Sequence, residues 1–136
     1  MHIGMRFAQV EKVLGKVSYN DLVSGGPAGC VEAGWPGKPG IGLMFEDYRL
    51  TRISVGRKAI TTGEGAGVGT SEAALRRLYG RRAVFTDHPY LEKEGHYVTV
   101  RYPQANRKLI FETAHGKVNS FRIGYPKPVE YIEGCL

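Results

Sequence analysis

A chain of 136 residues and 15.0 kDa, 42% hydrophobic and 24% charged, has room for one folded domain and excludes both wholesale disorder and two large independent cores. No apolar stretch approaches the ~20 residues of a membrane-spanning helix, so no transmembrane segment is expected. The net charge of +6 and pI of 9.4 favour acidic partners, whether a protein patch, anionic lipid or nucleic acid, although the same charge suits plain solubility.

In chain order, the first predicted element is a short helix. Phe7, Val10 and Leu14 recur at helical spacing, and Gly15 supplies the residue that stops it. Met1-His2 runs straight into this pattern, from which we expect that a signal peptide or lipid anchor has been removed ahead of it. Cys30 to Trp35 stands where a first strand would fall, and Pro36 to Gly40 reads as a loop presenting Trp35 outward. Leu43-Met44-Phe45-Glu46 and Arg49 to Val55 predict a hairpin with Tyr48 in its turn.

The run Gly63 to Gly69 lacks the Gly-Lys-Ser/Thr of a phosphate loop and the spacing of a dinucleotide fingerprint, and is read as a connector. A second helix follows, with Thr70 as its N-cap, Leu75, Leu78 and Tyr79 as its buried stripe and Gly80 as its stop. Asp87-His88-Pro89 reads as a polar loop. His96 opens a strand running to Tyr102, and Leu109 to Glu112 with Lys117 to Ile123 form a second hairpin around Ala114-His115-Gly116.

Laid over itself, the chain repeats. Ile3 to Gly15 matches Val68 to Gly80 at an offset of 65, with glycines bracketing both helices. Leu43–Glu46 matches Leu109–Glu112 at 66 and Arg49–Val55 matches Lys117–Ile123 at 68, the extra two residues being assigned to the second turn. The expected fold is therefore α+β: one domain over 1–136, with repeat 1 at about 3–61, repeat 2 at about 66–124, and segment 125–136 tied back. The two helices lie on one face of an antiparallel sheet and the other face is left for a partner.

Cys30 and Cys135 are the only cysteines. Two cysteines cannot complete a zinc site, and there is no Cys-x-x-Cys, which leaves a long-range disulfide or two buried thiols. The disulfide reading places the protein in the periplasm or outside the cell.

The pattern of a short helix opened by Val68-Gly69-Thr70-Ser71-Glu72, closed by Tyr79-Gly80 and followed by an antiparallel hairpin resembles the small-lipoprotein subunit of the outer-membrane barrel-assembly machinery. Two such units in tandem are similar to the beta-lactamase inhibitory protein. The Tyr131-Ile132-Glu133-Gly134-Cys135 ending is similar to a family of uncharacterised bacterial secreted proteins or lipoproteins. The resemblance spans roughly 3–124 and implies a concave sheet that grips a protein without catalysis; it transfers no functional residue. One cysteine pair spanning both copies, where a bridge inside each copy would match better, departs from it.

These readings lead to an expected non-catalytic, protein-binding module of the bacterial envelope: an inhibitor, immunity or assembly factor without cofactor or metal, facing a partner with an acidic patch. Trp35, Tyr48, Arg101 and Tyr102 are the candidate contacts, since Trp, Tyr and Arg dominate binding hot spots. The arginines Arg76, Arg77, Arg81, Arg82, Arg101, Arg107 and Arg122 among tyrosines supply the competing class, a nucleic-acid-binding domain. A small enzyme using His96, with Cys30 as nucleophile, is the third. Oligomeric state is not legible.

Overall fold

A computed structural model of the chain describes residues 1–19 and 26–135. Among the described residues seven strands form one antiparallel sheet, accompanied by three short helices, so the class is α+β as expected. In chain order the elements are α1 (Phe7–Leu14), β1 (Cys30–Trp35), β2 (Lys38–Glu46), β3 (Arg49–Val55), α2 (Glu72–Tyr79), β4 (Val84–His88), β5 (Glu92–Tyr102), β6 (Arg107–Ala114), β7 (Lys117–Gly124) and α3 (Pro126–Glu130). The strand order is β1-β2-β3-β7-β6-β5-β4. The chain divides into an N-terminal unit, Met1–Ser54 with Gly124–Leu136, and a central unit, Val55–Ile123.

In the N-terminal unit, α1 buries Val10 completely against Val31, Ala33, Leu43, Phe45 and Leu50, with Phe7, Leu14, Trp35 and Ile53 packed around them. Leu50 and Ile53 reach the same cluster although they are three positions apart, an odd spacing. The two-residue alternation of β3 therefore slips by one, as it does at a bulge. Glu32, between Val31 and Ala33, faces the other way. On that side the C-terminal segment returns: Arg52 Nη1 donates to the carbonyls of Pro128 (3.1 Å) and Tyr131 (2.8 Å), and Gly134 sits against the Glu32 carboxylate. The face expected to be bare is thus partly occupied in this unit.

The central unit packs its own helix, α2, on its own strands. Leu75 and Tyr79 of α2 are buried, and Tyr79, Phe111 and Phe121 form a chain of rings with centroids 5.7 Å apart at each step. Leu78, expected in the stripe, is 42% exposed. An eight-residue helix resting on a flat surface buries the i and i+4 positions first, and Leu78 lies to one side of that line.

Each unit ties its helix to its hairpin by the same hydrogen bonds. Gly4 N–H donates to Leu50 O, Leu50 N–H to Met5 O and Phe7 N–H to Tyr48 O. In the central unit Gly69 N–H donates to Val118 O, Val118 N–H to Thr70 O and Glu72 N–H to Gly116 O. Both pre-helical glycines adopt positive φ, +91° at Gly4 and +95° at Gly69. An Ala at Gly69 would meet no atom within 4 Å, so Gly69→Ala isolates the dihedral strain. It is expected to cost about 1–2 kcal/mol, read as a lowered urea midpoint. An unchanged midpoint would show that this backbone conformation is not required.

Several expectations are corrected. The loop Pro36–Gly40 is a two-residue turn at Pro36-Gly37, after which β2 begins at Lys38; Trp35 ends β1 and pairs with Lys38. Trp35 is half-buried against the core, with the Lys38 ammonium 4.6 Å from its ring centre, rather than presented outward. The N-cap of α2 is Ser71, whose hydroxyl accepts from Ala74 N–H at 3.1 Å, while Thr70 Oγ1 accepts from Gly67 N–H. His88 lies in β4 and is buried, and His96 lies inside β5 instead of opening it. Both hairpins turn on two positive-φ residues, Asp47-Tyr48 and His115-Gly116. The two turns are of equal length, so the second turn does not hold the two extra residues assigned to it. Finally, α3 was not anticipated.

Candidate protein-contact site

Two of the four candidate contacts, Arg101 and Tyr102, are neighbours at the end of β5. There the chain turns through Pro103–Ala105 into β6, passing Asn106 in a left-handed conformation. Arg107 Nη1 donates to the carbonyls of Ala105 and Asn106, at 2.9 and 3.1 Å, and fixes that turn. Arg82, Arg101, Tyr102, Pro103, Gln104 and Ala105 line an open cleft of about 410 Å³.

The floor of the cleft is braced from within the central unit. Glu64 accepts from the phenols of Tyr79 (3.1 Å) and Tyr102 (3.4 Å), and the Thr62 hydroxyl lies 2.8 Å from the Tyr79 oxygen. Burial, and then the Glu64 charge, push the Tyr102 phenol above its ordinary pKa. Burial raises Tyr79 too. Both phenols are therefore protonated near neutral pH and remain donors to Glu64. The Arg82 guanidinium lies 4.7 Å from the centre of the Tyr102 ring. Arg101 is exposed, and among the described residues its guanidinium has no hydrogen-bond or ion-pair partner. A stacked arginine and an unengaged arginine flanking an aromatic ring present two cations and a flat apolar surface, a combination suited to a carboxylate carried on a peptide.

The other two candidates are not brought together. Tyr48 sits in the turn after β2, and Trp35 pairs with Lys38 at the opposite end of that strand. Tyr48 is 54% exposed and holds φ +62°, while its backbone is fixed by Tyr48 N–H to Pro27 O and Phe7 N–H to Tyr48 O. With Arg6, Asp47 and Arg49 it lines a smaller cleft of about 190 Å³.

Residues not singled out form two further networks in the central unit. In the first, His88 Nδ1 accepts from the backbone N–H groups of Tyr90 (3.1 Å) and Leu91 (3.3 Å). That leaves Nε2–H to donate to Glu112 at 2.8 Å. Glu112 also accepts from Arg122, whose guanidinium lies 5.1 Å from the Tyr97 ring centre. In the second, Glu72 at the start of α2 accepts from His96 Nδ1 at 2.7 Å and from the Thr113 hydroxyl. This carboxylate orients the imidazole, an arrangement able to pass a proton at Nε2. Cys30 is bonded to Cys135 and so offers no thiol to pair with it. Among the described residues no three His, Cys, Asp or Glu side chains are placed to hold a metal ion.

Burial of Glu72 acts to raise its pKa, but the hydrogen bonds from Thr113 and His96 and the nearby charges of His96 and Arg76 outweigh it and hold the carboxyl below its ordinary value. A carboxylate held lower in the folded than in the unfolded state stabilises above its unfolded pKa, and that contribution disappears as pH falls through the folded value. Glu72→Gln is therefore expected to flatten the acid limb of stability between about pH 5 and pH 3. Urea midpoints measured across that range check it, and parallel acid limbs for the two proteins would contradict it.

No known protein family matches the chain, and no curated protein matches it. Among solved structures, a cysteine-rich secretory protein of Staphylococcus aureus is similar in fold, with a TM-score of 0.54 at 8% identity. The match covers 92% of this chain and 44% of that one, so this chain spans less than half the length of the structure it resembles. Cys30 and Cys135 form a disulfide, their Cα atoms 5.6 Å apart. No helix among the described residues is long and apolar enough to cross a membrane.

Proposed function

We propose that this chain is a non-catalytic protein-binding module acting outside the cytoplasm, in the bacterial envelope or beyond it, built from two copies of one helix-and-hairpin unit. The observation that carries the reading is the cleft at the end of β5, where Arg101 is unengaged and Tyr102 is braced by Glu64 and stacked by Arg82. The stacked Arg82 and the braced Tyr102 lose little freedom when a partner binds, which is the property of a hot spot, and the unengaged Arg101 adds free donors beside them.

Three observations support the wider reading. A disulfide persists in oxidising compartments and is rare in the cytosol. The fold likeness is to a protein described as secretory. The matching hydrogen bonds at Gly4 and Gly69, and the matching turns at Asp47-Tyr48 and His115-Gly116, favour tandem copies of the kind seen in inhibitory proteins with this plan. Where the central unit uses Gly116, the N-terminal unit holds a tyrosine at positive φ with its ring exposed. Strain kept at an exposed aromatic favours a second contact point at Tyr48.

The test is crosslinking capture from an envelope fraction with the native chain and with Arg101→Glu. A discrete protein should be retained by the native chain, and its recovery should fall about tenfold or more with the variant. Failure to retain any protein, or equal recovery by both, would overturn the reading. Binding of oligonucleotides that weakens steeply with salt would replace it with the nucleic-acid class.

A further inference from the structure

We propose that β4 is the strand beside which a partner protein lays an extended acidic segment, with the arginines along that edge taking its carboxylates. This rests on the protein-binding reading above and adds a mode of attachment and a partner chemistry.

β4 closes the strand order, so one long side of Val84–His88 has no strand against it among the described residues. Backbone N–H and C=O groups along such an edge are a ready template for another strand. At the other end of the sheet β1 is partly guarded, because Tyr19 bridges to Ala33. β4 carries none of the usual guards before its end: it has no proline or lysine, and its irregularity falls only between Asp87 and His88. Val84, 46% exposed, presents an apolar side chain there, and Thr86 is exposed as well.

The charge along this edge is one-sided at its start. Arg81 and Arg82 precede β4 with only Ala83 between, and Arg76 of α2 lays its guanidinium 3.8 Å from the centre of the Phe85 ring. Arg77 and Arg81 are exposed and, among the described residues, make no hydrogen bond or ion pair. Two acids of the central unit are already engaged, Glu72 by His96 and Thr113, and Glu64 by the two phenols. Asp87, at the far end of β4, gives the edge a direction: cationic where the strand begins, acidic where it ends. A second copy pairing parallel would bring the same arginines together, and like charges across a strand pair oppose it, while one pairing antiparallel would offer from its β4 only Asp87 to the arginine end. An acidic segment is attracted, and each added ladder bond holds it regardless of its sequence, with charge setting the choice.

The probe is an acetylated and amidated short peptide alternating valine with glutamate, compared with its valine–glutamine counterpart and with a version carrying a central proline. Binding is followed by amide chemical shifts and hydrogen exchange of the whole chain. The glutamate peptide should bind at least about tenfold more tightly than the glutamine one, shift the amides of Val84–Asp87 and slow their exchange. The proline version should lose binding, and Arg76→Glu with Arg81→Glu should weaken the glutamate peptide about tenfold or more. Peptide binding that perturbs amides elsewhere, or shows no preference for glutamate, overturns the proposal. Slowed β4 exchange that rises with protein concentration and needs no peptide assigns the edge to self-association instead. If envelope capture depends on Arg101 but is untouched by Arg76→Glu with Arg81→Glu, the edge proposal fails while the binding reading survives.

Discussion

Removing the bridge with Cys30→Ser and Cys135→Ser is expected to lower the unfolding free energy by about 4–5 kcal/mol. The two cysteines are 105 positions apart, so the bond constrains nearly the whole unfolded chain and removes much of its freedom. Small domains hold only about 5–15 kcal/mol in total, so the variant should sit close to its melting transition at 37 °C. The residues between Tyr131 and Cys135 should loosen first, since Val129 stays buried and Arg52 still holds Pro128 and Tyr131 by hydrogen bonds. Urea unfolding of the oxidised protein against the double variant measures the loss. Two titratable thiols in the native, non-reduced protein, or a difference under about 1 kcal/mol, would contradict the expectation.

Gly124→Ala is expected to be nearly as damaging, by about 3 kcal/mol or more. The new methyl carbon would stand 2.1 Å from the Thr51 carbonyl oxygen and 2.9 Å from the Arg52 Cα. Both are backbone atoms, so no side chain can swing aside to make room. Thr51 O also accepts from Tyr125 N–H at 3.0 Å, which ties the same place from the next residue. Gly34→Ala is the control, because a methyl there meets nothing within 4 Å and glycine gains nothing inside a strand. Thermal melts of the two variants should differ widely, with Gly34→Ala within about 0.5 kcal/mol of the native protein. Equal melting points would show that the backbone around Gly124 yields.

The local plan was readable from the residues where one kind of signal dominated. Both main helices combine apolar residues at helical spacing with a glycine at each end, and both lie where that pattern puts them. The paired hairpins were visible because Leu43–Phe45 and Leu109–Phe111 are continuous apolar runs. β4 was missed because Thr86, Asp87 and His88 carry no apolar alternation, and an edge strand needs none. Lys38 to Gly40 looked like a loop for the same reason: that end of β2 is exposed, and its proline and glycine report solvent, not a turn.

The site divides along similar lines. Arg101 and Tyr102 were legible as residue types suited to contact, and Arg82 as one of a cluster of arginines. Glu64 was not, because it meets Tyr79 and Tyr102 at separations of 15 and 38 residues, and nothing local marks it. His88 looked like a loop residue beside Pro89, yet it is buried by Glu112, which is 24 positions away. Trp35 was misjudged because its glycine and proline neighbours suggest exposure, whereas the short turn they form folds the indole back onto the core.

The N-terminal unit is assembled from the beginning and the end of the chain, while the central unit is one uninterrupted stretch, Val55–Ile123. A polypeptide delivered from its amino end can complete the uninterrupted stretch as soon as that stretch has emerged. The other unit must wait for Gly124 onward, and its bridge cannot close until Cys135 has followed Cys30 by 105 positions. The central stretch can therefore be complete while the bridge is still open, because Cys135 follows that stretch in the chain.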